Sequence, residues 1–215
     1  MKDSKCPYSI VYEDKDILVA YKKRDVLSVA TNDKKTYTHN LFFYLRSYAK
    51  KNNETVYLVH RLDYETSGII IFAKRPEIES ILKKAFLNQE VTRDYEAVIK
   101  EDLPLTYKKH VEMKIEEEGK KEVKSDSPDA KLAVTDIEAI NKIQIGTALH
   151  ISIATGRHNQ IRLALSSLGF SLLGDNRYGN TPAKRMYLNE YHLSFPHIEG
   201  LAQTDFITEP LWIKK

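Results

Sequence analysis

Residues 68–89 read GIIIFAKRPEIESILKKAFLNQ, and this stretch decides the fold class. The apolar run 69–73 is too short and too β-branched for a helix, which predicts a strand buried on both faces. Pro76 takes the first position of a predicted helix, and Glu77 and Glu79 lie in the first turn, where the helix dipole favours acids. Apolar side chains then recur at intervals of three and four residues, so this helix is expected to pack on a sheet.

Strands predominate on both sides of this stretch. The β-rich runs 9–12 and 17–21 flank a polar turn and predict a hairpin. Amphipathic helices are predicted from Thr38 for about three turns and from Thr155 to about Leu168. The charge-dense stretch 107–127 predicts an exposed hairpin. Further strands are expected at 56–59, 93–99, 132–140, 143–153, 187–195 and the C-terminus.

This order of elements, strands in runs with helices inserted, predicts an α+β fold with a mixed, largely antiparallel β-sheet and flanking helices. The chain has 215 residues, of which 42% are hydrophobic and 29% charged, and this is the balance of a globular protein. No repeat, linker or shift in composition divides the sequence. We therefore expect residues 1–215 to form a single domain.

Several classes of protein are disfavoured by what the sequence lacks. Cys6 is a lone cysteine, and CxxC, HExxH, P-loop and GxGxxG patterns are missing, so neither a metal nor a cofactor is expected. No apolar run approaches the roughly 20 residues of a membrane helix, and the N-terminal stretch lacks the apolar core of a signal peptide. We expect a cytoplasmic monomer without membrane association. The net charge of +3 permits RNA binding but does not indicate it.

Two segments carry candidate functional residues. Arg61 and Asp63 are two apart, so on an extended path they point to one side, although the same residues also fit an ordinary connection between strands. In the helix predicted from Thr155, Arg162 lies at the edge of the apolar stripe and should be partly buried. A buried guanidinium needs a carboxylate from elsewhere in the fold, unless its stem merely lies along the surface.

Three ordered segments resemble the motifs of the RluA family of RNA pseudouridine synthases: HRLDYETSGIIIFAK at 60–74, RDYEAVI at 93–99 and TGRHNQIRLALSSLGFSLLGDNRYG at 155–179. The resemblance implies a catalytic domain whose sheet is split by a central active-site cleft. It also implies isomerisation of uridine in RNA to pseudouridine without a cofactor. The RNA partner would be ribosomal or transfer RNA, read as a stem-loop.

By position, Asp63 matches the family nucleophile, Arg61 the residue that helps to extrude the base, Tyr95 the active-site tyrosine and Arg162 the arginine paired with the aspartate. The nucleophile must be ionised yet shielded from water, and Arg162 is expected to keep it ionised. Tyr95 would stack on the detached base or relay a proton, whereas the same tyrosine without the neighbouring motifs would be ordinary packing. The residues do not distinguish attack at C1′, attack at C6 and a glycal route.

Further RNA contacts are expected from His60, Arg157 and His158, the last two at the start of a helix, where backbone N–H groups attract phosphate. The basic run 22–24 would either touch RNA or form a solvated hairpin end. Arg177 and Tyr178 are interpreted as packing or rim residues.

The chain departs from the family pattern in three places. The stretch YKKRDVLS, residues 21–28, lacks the usual proline, Asn159 replaces a histidine, and the leucine, histidine, alanine element reads Leu188, Asn189, Glu190. These departures affect RNA contacts and local loop geometry and not the predicted nucleophile. Two alternatives to the synthase stay open. One is a non-catalytic RNA-binding module or RNA chaperone, and the other is a hydrolase with Asp63 and Glu65 as paired carboxylates.

Overall fold

A computed structural model describes residues 6–118, 121–124, 126–198 and 201–213. The chain divides into two compact units. The first comprises Met1–Glu90 and Phe195–Thr208, and the second comprises Val91–Ser194 and Glu209–Lys215. The expectation of a single domain stays a prediction. Among the helices of the described ranges, none has the length and apolar character needed to cross a bilayer.

The described residues form eleven strands and three α-helices. The strands are β1 Tyr8–Glu13, β2 Ile17–Lys22, β3 Tyr57–Leu58, β4 Ser67–Ala73, β5 Thr92–Ile99, β6 Lys108–Glu118, β7 Lys121–Lys124, β8 Lys131–Ile143, β9 Gly146–Ile153, β10 Leu188–Ser194 and β11 Asp205–Ile207. The helices are α1 Leu41–Lys51, α2 Pro76–Leu87 and α3 Gln160–Ser167, with a short 3-10 turn at Lys34–Thr36.

The first unit is built around β4, in which all seven residues are buried. β4 pairs antiparallel with both β2 and β3, and β1 pairs antiparallel with β2. Burial on both faces explains the unbroken apolar run in the sequence. Helix α1 begins after Asn40, whose side chain accepts a hydrogen bond from the Phe43 amide at 2.9 Å, and α2 begins at Pro76.

The second unit contains an antiparallel sheet in the order β10, β5, β9, β8, β6, β7. On β5 the side chains of Ala97, Val98 and Ile99 are completely buried, as are Ala148, Leu149 and Ile151 of the paired strand β9. The C-terminal segment is tied to this sheet, because backbone amides at 211–213 donate to the buried Glu96 carboxylate of β5.

The predicted α+β class and the largely antiparallel sheet are confirmed, as is the hairpin of β1 and β2. The strand predicted at 56–59 is shorter, and α1 begins three residues later than Thr38. The exposed hairpin predicted at 107–127 is wrong in part, since alternate residues of β6, Val111, Met113 and Ile115, are buried. Residues 119–120 and 125 of that prediction lie outside the described residues.

The helix predicted from Thr155 begins instead at Gln160. Asn159 has φ 55°, a left-handed conformation that interrupts a helix, and residues ahead of it form bends and a turn. The Gln160 side chain organises this loop: its oxygen accepts hydrogen bonds from the Arg157 amide at 3.0 Å and the Thr155 hydroxyl at 2.8 Å.

Candidate active site

Asp63 lies in the first unit, half-buried, in the loop that joins β3 to β4. The backbone is fixed on both sides of it. The Ser28 hydroxyl accepts from the Leu62 amide at 3.0 Å and donates to the Leu62 carbonyl at 2.6 Å. The Tyr64 carbonyl accepts from the Val26 amide at 3.3 Å. Clamping both neighbours fixes the backbone that carries Asp63, and a nucleophile requires such a fixed support.

Lys22 provides a second clamp on the same loop. Its ammonium group donates to the carbonyls of Val26 at 2.8 Å, of Tyr64 at 3.2 Å and of Lys23 at 3.2 Å. Burial lowers the pKa of Lys22 to about 7, and the charge of Asp63 opposes this shift. The interpretation of Lys22 as part of an RNA-touching or solvated basic run is therefore wrong, because its side chain is completely buried.

The signal for Lys22 is its place in the sequence, as the last residue of a strand whose first four residues are apolar and buried. This strand has no alternation of apolar and polar residues that would place its last side chain in solvent. A charged group at its end therefore needs nearby hydrogen-bond acceptors. Lys23 and Arg24, by contrast, are exposed.

The other predicted residues of the β3–β4 loop take different positions. Arg61 is exposed. The His60 ring accepts from the Ile71 amide at 3.1 Å through Nε2 and stacks on the Phe86 ring at a centroid distance of 4.7 Å. His60 thus fixes the loop against β4 and α2, and its contact with RNA stays a prediction.

Tyr95 lies in the second unit, on β5, and is 6% exposed. Its hydroxyl donates to Glu190 Oε2 at 2.7 Å. Glu190 is completely buried, and burial raises its pKa to about 8, against the lowering effect of the Tyr95 hydrogen bond. From the sequence, Glu190 is interpreted only as a departure from the family pattern. The signal that could have revealed it is an acidic residue within a strand, between Leu188 and Leu193.

Residues next to Tyr95 on β5 carry charges with their own partners. Asp94 accepts a hydrogen bond from His192 Nδ1 at 2.7 Å. Arg93 is buried and donates to the Ala154 carbonyl at 3.4 Å. Gly156 leaves room for this guanidinium, since a Cβ added there would come within 2.5 Å of Arg93 Nη1.

Arg162, on α3 of the second unit, is 3% exposed, which confirms the burial predicted from the helical stripe. Its guanidinium binds Asp175 in a two-pronged pair, Nε to Oδ2 at 2.8 Å and Nη2 to Oδ1 at 2.7 Å. Nη1 donates to Asn159 Oδ1 at 2.8 Å, and the Tyr178 ring lies 5.2 Å from the guanidinium carbon.

A carboxylate partner for Arg162 is thus present as Asp175, which also accepts from the amides of Arg177 and Tyr178. Burial acts to raise the pKa of Asp175, but the Arg162 hydrogen bonds and these amides lower it further, so the net shift is downward. The pairing of Arg162 with Asp63, a residue of the other unit, stays a prediction.

Arg157 and His158 lie in the loop ahead of α3, not in a first helical turn, so the predicted helix-end position is wrong for both. Arg157 is half-buried and donates from Nε to the Leu132 carbonyl at 2.9 Å, and His158 is exposed. Within the described parts of the chain, no three His, Cys, Asp or Glu side chains form a group that could hold a metal ion.

Comparison with known proteins finds relatives that are named RNA pseudouridine synthases. The ribosomal large subunit pseudouridine synthase D of Vibrio cholerae is 35% identical over 176 residues, which cover 80% of this chain and 53% of that protein. YjbO of Bacillus subtilis, named an uncharacterized RNA pseudouridine synthase, is 32% identical over 204 residues, covering 89% of this chain and 68% of that one. The chain spans about half the length of the synthase D relatives it matches.

Solved structures agree with this in fold. The human RNA pseudouridylate synthase domain containing 1 matches with a TM-score of 0.77 at 22% identity, over 98% of this chain and 86% of that one. The human domain containing 4 protein matches with a TM-score of 0.76 at 20% identity, over 95% and 90%. Finally, the family model described as RNA pseudouridylate synthase matches residues 16–167, so the chain belongs to the RNA pseudouridylate synthase family.

Proposed function

We propose that this protein isomerises uridine in RNA to pseudouridine, with Asp63 as the nucleophile. The observation that carries the proposal is the fixed position of Asp63, whose two neighbours are held through their backbones by Ser28, Val26 and Lys22. Ordinary turns do not need a buried lysine to hold them. The reaction needs a carboxylate held in place, since the C1′–N1 bond must break under attack or assistance by a carboxylate.

Isomerisation places few further demands on the protein. The base leaves C1′, turns and rejoins through C5, so every substrate atom reappears in the product and neither a redox partner nor ATP is consumed. The protein must extrude the target base, hold it while it is detached and shield it from water. Arg61 has the exposure needed to occupy the space of an extruded base.

We assign the remaining roles in the same way. Tyr95 provides an aromatic face and a phenol for the detached base, and Arg162 keeps the Asp63 carboxylate ionised. Arg157, His158 and His60 are proposed to contribute to RNA binding.

The substrate class follows from the relatives. Several of them are named ribosomal large subunit pseudouridine synthase D, which favours ribosomal RNA over transfer RNA as the target of this chain. We further propose that the protein reads a stem-loop, acts as a monomer and works in the cytoplasm.

The test uses the full chain and unmodified ribosomal RNA transcripts, with release of hydrogen from uridine C5 as the signal. Wild type should release it, and Asp63→Asn should fall by at least about 10³-fold. Glu65→Gln is the matched control, a nearby carboxylate on the same loop, and should retain activity. Undiminished release by Asp63→Asn would refute the proposal, and free uracil as the product would instead identify a hydrolase.

A binding module without turnover makes a different prediction. It would bind the transcripts equally well as wild type and as Asp63→Asn, and neither would form pseudouridine. Mapping pseudouridines in total RNA with and without the gene would then give identical maps.

A further inference from the structure

Glu190 is directly opposite Tyr95 in the antiparallel pairing of β10 with β5, so their side chains project from the same face of the sheet. The Tyr95 hydroxyl donates to Oε2 at 2.7 Å, and both residues are buried. The other carboxyl oxygen, Oε1, is shielded from solvent and has no hydrogen-bond partner among the described residues. This carboxyl group is therefore directed at the phenol and has unused capacity to bind a proton.

Glu190 is one of the departures of this chain from the pattern that the resemblance to the RluA family implies. The corresponding element of the RluA family is leucine, histidine, alanine, and here it reads Leu188, Asn189, Glu190. An alanine at the third position has no group that could accept the proton of the Tyr95 hydroxyl. Replacing a buried methyl group with a carboxyl group also lowers the stability of the fold, so the carboxyl group is expected to have a functional role.

We infer that Glu190 is a positioning residue for Tyr95: it orients the phenol and accepts the phenolic proton when Tyr95 takes the proton from C5 of the newly joined nucleoside. This inference rests on the proposed function. It adds a proton route through Glu190 to the proposed mechanism.

After C1′ has joined C5, that carbon still carries its hydrogen and C6 is doubly bonded to N1. The C5–H bond breaks and the proton passes to Tyr95 Oη, while the phenolic proton passes to Glu190 Oε2. The electron pair of the C–H bond becomes the C5–C6 double bond, and the C6–N1 pair moves to N1, which takes a proton from water. Return of the proton from Glu190 Oε2 to Tyr95 Oη, with transfer of the phenolic proton to the hydroxide, restores the starting state.

The route works only when Glu190 is ionised. Burial raises the pKa of Glu190 to about 8, and the charged groups that act on it are Arg93 and Asp94 of β5 and His192 of β10. On the far side of Tyr95, its partner on β9 is the apolar Ile151. The fraction of Glu190 able to accept a proton therefore grows as pH rises through about 8, and proton loss from C5 should accelerate with it.

The experiment measures single-turnover release of deuterium from uridine C5 in an unmodified ribosomal RNA transcript between about pH 6 and pH 9.5. Wild type should accelerate with pH. Glu190→Gln, which keeps the shape but cannot accept a proton, should give a flat profile and be about 10- to 100-fold slower at the alkaline end. RNA affinity should stay within about twofold, so that kcat falls while KM does not.

Two further variants isolate the route. Glu138→Gln, on β8 and paired with Lys108, is the control and should follow wild type. In a Tyr95→Phe background, Glu190→Gln should have no additional effect, because the phenol through which it acts is gone.

The outcomes separate the two proposals. A wild-type profile for Glu190→Gln, alongside inactive Asp63→Asn, would overturn the role of Glu190 and leave the proposed function intact. A rate of deuterium release that does not change with pH in wild type would also overturn the role of Glu190. This result does not depend on whether a variant folds. Full activity of Asp63→Asn would overturn the proposed function.

Discussion

Two buried glutamates of the second unit, Glu96 on β5 and Glu190 on β10, have opposite surroundings. Neither has any solvent exposure. Glu96 accepts hydrogen bonds from Asn189 Nδ2 at 2.8 Å and from backbone amides at 211–213, the shortest of them 2.6 Å. Glu190 accepts one, from Tyr95, and its Oε1 has no partner in the described part of the chain. The first carboxylate anchors a chain segment, whereas the second is free to exchange a proton.

The difference shows how the same side chain serves structure or chemistry. A carboxylate that accepts several backbone amides satisfies those donors, and removing it leaves them without partners. A buried carboxyl group with one hydrogen-bond donor does not recover the full free energy of its desolvation. Such a group is retained where a function needs it. The comparison therefore predicts unequal responses to mutation of the two residues.

The largest effect is expected for Glu96→Ala. The substitution leaves three amides and the Asn189 side chain without their acceptor, so the free energy of unfolding should fall by about 3 to 5 kcal/mol. Urea unfolding at neutral pH measures this change. A loss below about 1 kcal/mol would break the comparison, because Glu96 would then be no better anchored than Glu190.

A smaller effect of opposite direction is expected for Glu190→Gln. The folded-state pKa of Glu190, about 8, exceeds its unfolded value, so the folded protein binds more protons between these two pKa values. The free energy of unfolding of wild type should thus fall as pH rises through that window. Glu190→Gln lacks this fall, and should gain about 1 to 3 kcal/mol relative to wild type between pH 5 and pH 9.

Unfolding of both proteins by urea at the two pH values gives the result. Equal pH dependence in wild type and Glu190→Gln would mean that the carboxyl group ionises normally in the folded state, and the contrast with Glu96 would disappear. Glu138→Gln again serves as the control, since its side chain is partly exposed and paired with Lys108.

Residues whose roles follow from a periodic pattern were predictable from the sequence. The apolar run of β4 indicated its burial, and the stripe of α3 indicated that Arg162 is buried. The partner of Arg162 was not predictable in this way. Asp175 reaches it from a loop thirteen residues along, and hydropathy patterns do not determine loop conformation.

The start of α3 and the role of Glu190 were missed for similar reasons. Asn159 adopts a left-handed conformation, which the sequence permits without requiring, and this moves the helix start to Gln160. Glu190 becomes buried because β10 pairs in a register that places it opposite Tyr95. The register of a strand depends on its pairing with strands distant in sequence. The sequence of β10 alone therefore shows that residue 190 is acidic but not that it faces Tyr95.

The smallest effect concerns Lys22, the buried base of the first unit, and it should have the opposite sign to that of Glu190. Burial lowers the pKa of Lys22 to about 7, below its unfolded value, so the unfolded chain binds more protons between about pH 7 and pH 10. The free energy of unfolding of wild type should therefore rise with pH in this window. Relative to Lys22→Met, we expect a rise of about 1 kcal/mol, because the three carbonyl acceptors and Asp63 stabilise part of the charge.

The Lys22→Met variant also tests whether Lys22 positions the proposed nucleophile, Asp63. Lys22→Met removes a hydrogen bond from the Tyr64 carbonyl, next to Asp63, so turnover should fall even where the variant stays folded. Urea unfolding at pH 7 and pH 10, with release of hydrogen from uridine C5 measured on the same samples, tests both effects. Parallel stability curves would show that Lys22 keeps an ordinary pKa in the folded state. Undiminished turnover would show that the Tyr64 clamp does not position Asp63.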